Sequence, residues 1–391
     1  MPYYRRNLYV LSATIFLASL SWNQIIPFLA PFLKDLGAER ELLGWVGVVF
    51  ALQNGASMLA QPFWGKLGDY YGRKPMVIRA GICLAGIYVG MSFCQAPWQL
   101  AALRFLNGAL TGFIPGSFAL IATNTPQQLA PRAVATAQSA SAAGLLLGPA
   151  IGGILADLVG YRASMQIAGG AVLAATALVW WLVQEPSKPL PETRTSLAQD
   201  FVTAIRSPVM SSLMLLSMLA WAFGSAISPV LALYVHAISS VSDRTVGIVY
   251  ALPAAAFVLT ARRWTSLGER FGFQRMILAG LTGTALGTLL LPLASGVWAF
   301  GAIYFLTGIW LAALGPSGGA ITCTLVDQGF RGRAYGMQQA AGTFAALITP
   351  LIATRAWTVF GMRSVFVLVG CVFLIGTVVF RFTLRRWDVS G

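Results

Sequence analysis

Acids are scarce in this sequence. Only 12 of its 391 residues are Asp or Glu, against 26 Lys and Arg, and all charged types together make up 10% of the chain. Soluble domains average about 25% charged residues, so a water-soluble globular chain is excluded. The acids lie in or beside polar segments, and none stands at the centre of an apolar run. There is one histidine, His236, and the four cysteines, Cys83, Cys94, Cys323 and Cys371, are scattered without CxxC spacing. Such spacing indicates neither a disulfide framework nor a zinc site, and buried packing positions are expected for all four. HExxH is absent and no nucleophile–base pair is legible, so no enzyme, metal or cofactor is expected. A receptor is disfavoured because no polar sensing domain is attached.

Apolar residues fill the space left by charge. They account for 57% of the chain, and the mean hydropathy is +0.73. One spanning helix takes roughly 20 apolar residues, so twelve would use about 240 and leave short loops. Helices are expected near 8–33, 43–65, 75–95, 98–124, 132–159, 162–184, 208–237, 244–264, 274–294, 297–325, 332–360 and 363–384. The first is a spanning helix and not a secretion signal, because its apolar run is long and lacks a small-residue cleavage site.

The net charge of +14 would suggest nucleic acid in a soluble protein. Here it follows membrane topology. With the amino terminus inside, the cytoplasmic segments collect most bases, including the pairs Arg5–Arg6, Arg73–Lys74, Arg262–Arg263 and Arg385–Arg386. The opposite face has only Lys34, Arg40, Arg162, Arg244 and Arg363. Lys and Arg resist translocation. The expectation is therefore a multi-pass protein of the cell membrane with both termini cytoplasmic, the lipid bilayer as its surroundings and no nucleic-acid partner.

The chain is written twice. At an offset of 200, Leu67 meets Leu267, Gly68 meets Gly268, Gly72 meets Gly272 and Met76 meets Met276, while Asp69 meets Glu269. "LRFLNGAL" (103–110) lies over "IYFLTGIW" (303–310). At 201, Arg132 meets Arg333, Gln138 meets Gln339, Pro149 meets Pro350, Gly160 meets Gly361 and Arg162 meets Arg363. Six spans per copy insert both copies the same way up, as in transporters built from parallel repeats. The expected fold is all-α, with 12 transmembrane helices in two pseudo-symmetric six-helix bundles, 1–184 and 208–391. A cytoplasmic linker, 185–207, joins them. Ser196 would cap a short amphipathic linker helix whose apolar stripe is Leu197, Phe201, Val202 and Ile205.

Three motifs make the sequence resemble the major facilitator superfamily. Gly65-x-Leu67-x-Asp69-x-x-Gly72-Arg73-Lys74, with Gly68 inside it, is similar to that family's signature loop between spans two and three. "GLLLGPAIGG", with Gly144, Gly148, Pro149, Gly152 and Gly153, resembles the antiporter motif of its 12-span drug/proton branch. Arg104 in "LRFLNG" resembles the arginine motif of its fourth span. The resemblance covers the whole chain and implies the major facilitator fold. It further implies that Asp69 latches the first half to the start of the eleventh span, near Gly332. An acid is favoured at such a helix start by the dipole. Gly144, Gly148 and Gly152 recur every fourth residue and form a small-residue groove, and Pro149 is a kink point. Either the groove simply permits tight packing, or it seals the fifth span against a helix of the other half. The second copy carries Ala345, Thr349 and Ala353 at those positions.

In the spans that face the central space in that family, the cavity candidates are Asn23, Gln24, Gln53, Asn54, Arg104, Asn107, Gln138, Tyr250, Trp310, Gln338 and Gln339. Buried amides also pair between helices, so each has a packing alternative. Arg104 is costly inside a membrane, and such charges mark pathways unless they snorkel to the interface. Arg355 is a second intramembrane base, off the family pattern. Proton coupling is implied by the resemblance, and the titratable candidates are Asp35, Asp157 and His236, with Asp35 or Asp157 pairing with Arg104. Asp327 lies near the inner side. The expected function is export of hydrophobic or amphiphilic small molecules by alternating access in exchange for protons, by a monomer. The alternative is a transporter of an organic anion, a sugar or a lipid, with or without proton coupling.

Overall fold

The structure is a computed structural model that describes residues 2–110, 112–126, 129–185, 207–326 and 331–387. The linker helix expected over 196–205 and Asp327 lie outside the described residues. So do the side chains of Lys66 and Asp69, and with them the contact of the inner latch.

All the regular structure among the described residues is helical, because hydrocarbon leaves backbone N–H and C=O groups no partners outside their own segment. The helices are α1 (Tyr3–Ile25), α2 (Leu29–Asp35), α3 (Leu42–Tyr71), α4 (Arg73–Ser92), α5 (Pro97–Leu110), α6 (Phe113–Asn124) and α7 (Ala130–Leu182). After these come α8 (Pro208–Ile238), α9 (Asp243–Phe271), α10 (Phe273–Leu290), α11 (Val297–Leu311), α12 (Leu314–Leu325), α13 (Arg331–Phe360) and α14 (Ser364–Trp387). Eleven stretches among them are long and apolar enough to cross a membrane. One of these runs over 51 residues, Arg132–Leu182, which is far more than one crossing requires. Gly160 breaks it with φ 78° and ψ 167°, a backbone state that glycine tolerates. The stretch is therefore two spans, and the crossings among the described residues number twelve. Its repeat partner Gly361, also at positive φ, ends α13 in the second copy.

Contacts group the chain into two units. The first is Met1–Glu192 with Ser240–Ala251, and the second is Thr193–Ser239 with Leu252–Gly391. The beginning of α9, which the repeat assigns to the second half, thus makes its contacts within the first unit. There α1 packs along α7, α4 along the second part of α7, and α3 along α5. In the second unit α8 packs along α13 and α10 along α14.

Several helix contacts recur at the repeat offset. Trp64 Nε1 donates to the Ala109 carbonyl at 2.6 Å, and Trp264 Nε1 to the Ile309 carbonyl at 2.7 Å. A β-carbon at Gly108 would collide with the backbone of Gln53, and one at Gly308 would stand 2.6 Å from Pro253 Cα. Both copies use the same indole donor and the same close helix crossing. Large apolar side chains such as Leu59, Trp181, Trp298 and Phe360 are exposed, in keeping with surfaces that hydrocarbon covers. For the same reason the expectation that all four cysteines pack inside is corrected. Cys94 is buried and Cys83 half-buried, whereas Cys323 and Cys371 are exposed.

The groove in the first part of α7 has a definite occupant. A β-carbon at Gly144 would stand 2.6 Å from the Phe16 carbonyl oxygen and one at Gly148 2.8 Å from that of Leu20. At Gly152 it would overlap the Gln24 carbonyl. The three glycines therefore seat α1 of the same unit. Pro149 and Gly153, on a neighbouring strip, meet the start of α9 at Gly247 and Asp243. The three-glycine face thus takes the packing alternative, and the adjoining strip meets the start of α9, since a helix offers different partners to different faces.

Replacing Gly152 with Leu should lower the melting temperature of the purified protein, corresponding to about 1–3 kcal/mol for overpacking. Gly170→Leu is the control, because its β-carbon meets nothing within 4 Å. Equal melting curves for the two variants would disprove the close contact.

Candidate functional site

Arg104 is buried among the described residues of the first unit, with 2% of its surface exposed. It projects from α5 among aromatic rings of three other helices. The guanidinium carbon lies 5.4 Å from the Trp22 ring centre and 5.3 Å from that of Phe50. These are cation–π distances. Nε of Arg104 and the hydroxyl of buried Tyr88 find no hydrogen-bond partner. Asn107, almost one turn further along α5, is fully buried. Gln53 on α3 is also buried, and its Oε1 has no partner. A buried base stabilised by ring faces, beside underused polar atoms, is a place suited to a polar or charged group arriving from elsewhere.

The other candidates separate by what they bond. Gln24 Nε2 donates to the Ser164 carbonyl at 3.0 Å and joins α1 to α7. Asn23 Nδ2 donates back to Ser19 of its own helix at 2.7 Å. Asn54 and Tyr250 are half-buried, and Gln138 is exposed. In the second unit, Gln338 Nε2 donates to Thr322 Oγ1 at 3.1 Å and ties α13 to α12. Gln339 is exposed. Trp310 packs over Gly283 and lies 5.6 Å from the ring of Trp264. Gln24, Gln338 and Trp310 thus have helix-packing roles whatever else they touch. Arg355 is exposed on α13.

The signature loop holds an acid that composition and spacing did not single out. Glu185, just past the end of α7, accepts from the amides of Arg73 and Lys74 at 2.9 Å each, one per carboxylate oxygen. These are the first amides of α4, which have no partner within the helix, and they carry the positive end of the dipole. Gly72 makes the approach possible. Its φ is 102°, and a β-carbon there would sit 3.1 Å from Glu185 Oε2. Gly65 is exposed, whereas Gly68 is buried next to Met76 and Arg73. At the far end of α4, Arg162 donates to the carbonyls of Ser92 and Cys94 at 2.6 and 2.7 Å. Helix α4 is therefore held by an acid at its start, from just past the end of α7, and by a base on α7 at its finish. Burial pushes the Cys94 thiol up, with Arg162 pulling against it. The sequence signal for Glu185 would have been its position, the first acid after span six, facing a glycine-led helix start.

Asp157 is not brought to Arg104. Its carboxylate accepts from the amides of Asp243 and Arg244 at 3.1 Å each, at the start of α9. Tyr161 donates to Asp243 Oδ2 at 2.6 Å, and its ring lies over Phe28 at 5.9 Å. Asp35 is exposed and close enough to act electrostatically on Tyr161. His236 is exposed in the last turn of α8. Among the described residues, no cluster of three His, Cys, Asp or Glu could hold a metal ion.

Twelve apolar crossings in two copies, with polar side chains spent mainly on helix contacts, define a membrane transporter of the duplicated-bundle class. The Major Facilitator Superfamily model matches residues 11–237 and again 210–388, and the chain belongs to that superfamily. It is 31% identical over 395 residues to the multidrug resistance protein MdtG of Serratia proteamaculans, covering 98% of this chain and 95% of that protein. To the MdtG protein of Proteus mirabilis it is 30% identical, covering 93% and 92%. Its fold is similar to the crystal structure of a bacterial homologue of the human lysosomal transporter Spinster in an inward-facing, occupied conformation. That likeness has a TM-score of 0.82 at 14% identity and covers 98% of this chain and 97% of the other.

Glu185→Ala should speed hydrogen exchange at the Arg73 and Lys74 amides and cost about 0.5–2 kcal/mol of stability, as loss of a helix cap does. Glu185→Gln keeps an acceptor oxygen and should fall in between. Unchanged exchange at both amides in the alanine variant would refute the cap.

Proposed function

We propose that this chain exports hydrophobic and amphiphilic drug-like molecules across the cell membrane by alternating access, in exchange for protons. It works as a monomer with both termini in the cytoplasm. The base-rich segments support that orientation. The relatives named multidrug resistance protein, about 30% identical along nearly the whole chain, support the substrate class. The observation that carries the reading is Arg104, buried beneath the Trp22 and Phe50 rings with Tyr88 and Gln53 offering unpartnered polar atoms. Aromatic walls with a few polar groups accept bulky, partly apolar molecules.

For the proton we assign Asp157. Its carboxylate places a negative charge on the first amides of α9. Protonation removes that charge and weakens the bonds that keep residues 240–251 with the first unit. Asp69 is proposed as the latch at the opposite side, working on the start of the eleventh span, with Gly65, Gly68, Gly72, Arg73 and Lys74 shaping its loop. A second reading rests on the same Arg104: a buried guanidinium set among aromatic rings favours an organic anion as substrate, which would bring the opposite charge.

Counterflow in proteoliposomes tests both readings. Cationic dyes should exchange, and an inward-directed proton gradient should accelerate their export. Sugars should not exchange. Exchange confined to carboxylate-bearing compounds would replace the first reading with the second. Arg104→Leu should cut transport about tenfold or more while the protein stays folded, since an apolar group of similar volume is tolerated at a buried charge. Asp157→Asn should abolish the response to the proton gradient. A variant that still responds would remove Asp157 from the coupling.

A further inference from the structure

Helix α4 carries a graded stripe of which the transport reading uses only Lys74, in the latch loop. Lys74 stands in the first turn, Ile78 and Arg79 in the second, and Ile82 and Cys83 in the third, so both bases lie in the first two turns and the third is apolar. With Trp180 of α7 they line a groove of about 630 Å³. Lys74 Nζ donates to the Trp180 carbonyl at 2.8 Å, bringing the ammonium to the mouth of the groove. Ile82 is 50% exposed and Trp180 59% exposed, so the groove opens on the surface that hydrocarbon covers. Arg79 lies about 9 Å along the helix axis from Arg73 at the usual rise per residue. Its guanidinium carbon sits 3.3 Å from the Trp64 ring centre, and its Nε and Nη1 are buried without partners.

The second copy makes the bases stand out. Trp264 repeats Trp64 and its hydrogen bond, so the indole belongs to the shared scaffold. Opposite Lys74 and Arg79 stand Gln274 and Ala279, and Trp264 packs on Trp310 instead of a guanidinium. The helix contact is therefore built without the two bases, which leaves their presence in the first copy to be explained by something else.

We infer that the groove binds a phospholipid with an anionic headgroup. The headgroup phosphate lies between Lys74 and Arg79 at the membrane interface, and an acyl chain runs along Ile78, Ile82 and Trp180. The order of chemistry along α4, charge first and then hydrocarbon, is the order along such a lipid. Basic pockets between membrane helices attract anionic headgroups in this way, and an indole at the interface suits the boundary between head and chain. The inference does not depend on what the protein transports.

Delipidated full-length protein, titrated with phosphatidylglycerol or with phosphatidylcholine of the same chains and followed by native mass spectrometry, provides the test. The wild type should retain phosphatidylglycerol in preference. Arg79→Leu and Lys74→Gln should each weaken that retention about fivefold, the effect of one base near a charged surface, without changing retention of phosphatidylcholine. Trp180→Ala should weaken both lipids by shortening the apolar wall. Inorganic phosphate should fail to displace the bound lipid. Equal retention of the two lipids, or base variants that hold phosphatidylglycerol as the wild type does, would overturn the inference. Displacement by inorganic phosphate, or a dimer that excludes lipid, would do so too.

Discussion

Hydrocarbon offers no hydrogen bonds, and every other feature of this protein answers to that fact. Each backbone amide and carbonyl must be satisfied inside its own helix, so helices are the regular structure found and the ends of helices become the difficult places. Helix α4 shows how one such place is managed. Glu185 accepts from its first two amides and Arg162 donates to carbonyls at its finish. One lies on α7 and the other just past its end, so the pairing that satisfies the dipole also fixes where α7 lies against α4.

Without a hydrophobic force between helices in lipid, close backbone approach takes over as the means of adhesion. Glycine supplies it. Gly144, Gly148 and Gly152 let α1 settle onto α7, and Gly108 and Gly308 do the same for the α3–α5 and α9–α11 crossings of the two copies. The repeated contacts are those of scaffold: the crossing glycine and the indole that bonds across it. The chemistry is not repeated. Tyr304 stands opposite Arg104, buried and stacked on Phe223, and Ala345 and Ala353 stand where α7 has glycine. Duplication provided two similar frames, and among the described residues only the first holds a buried base.

The start of α9 is where the repeat and the contacts disagree. By sequence it lies in the second half, after α8; by contact, residues 240–251 belong with the first unit. A short run of backbone at a helix start has several unpaired amides, so whichever acid lies nearest can claim it. Asp157 does, supported by Tyr161 on Asp243. A count of acids cannot reveal this, because an exposed aspartate at the end of one span and an amide at the start of another are far apart in the chain.

Sequence alone determined the helical class, the twelve crossings, the duplication and the motif positions, because hydropathy, glycine spacing and a constant offset are properties of the chain itself. It marked Arg104 as exceptional on cost alone, since a charge among apolar residues needs no coordinates to be noticed. Only the tertiary structure decided what each polar group touches. Gln24 joins α1 to α7, the glycine face seats α1, Glu185 caps α4, and Asp157 goes to α9 in place of Arg104. Side chains on one helix turn share a sequence signature but point at different neighbours, and the choice among them is made by three-dimensional proximity.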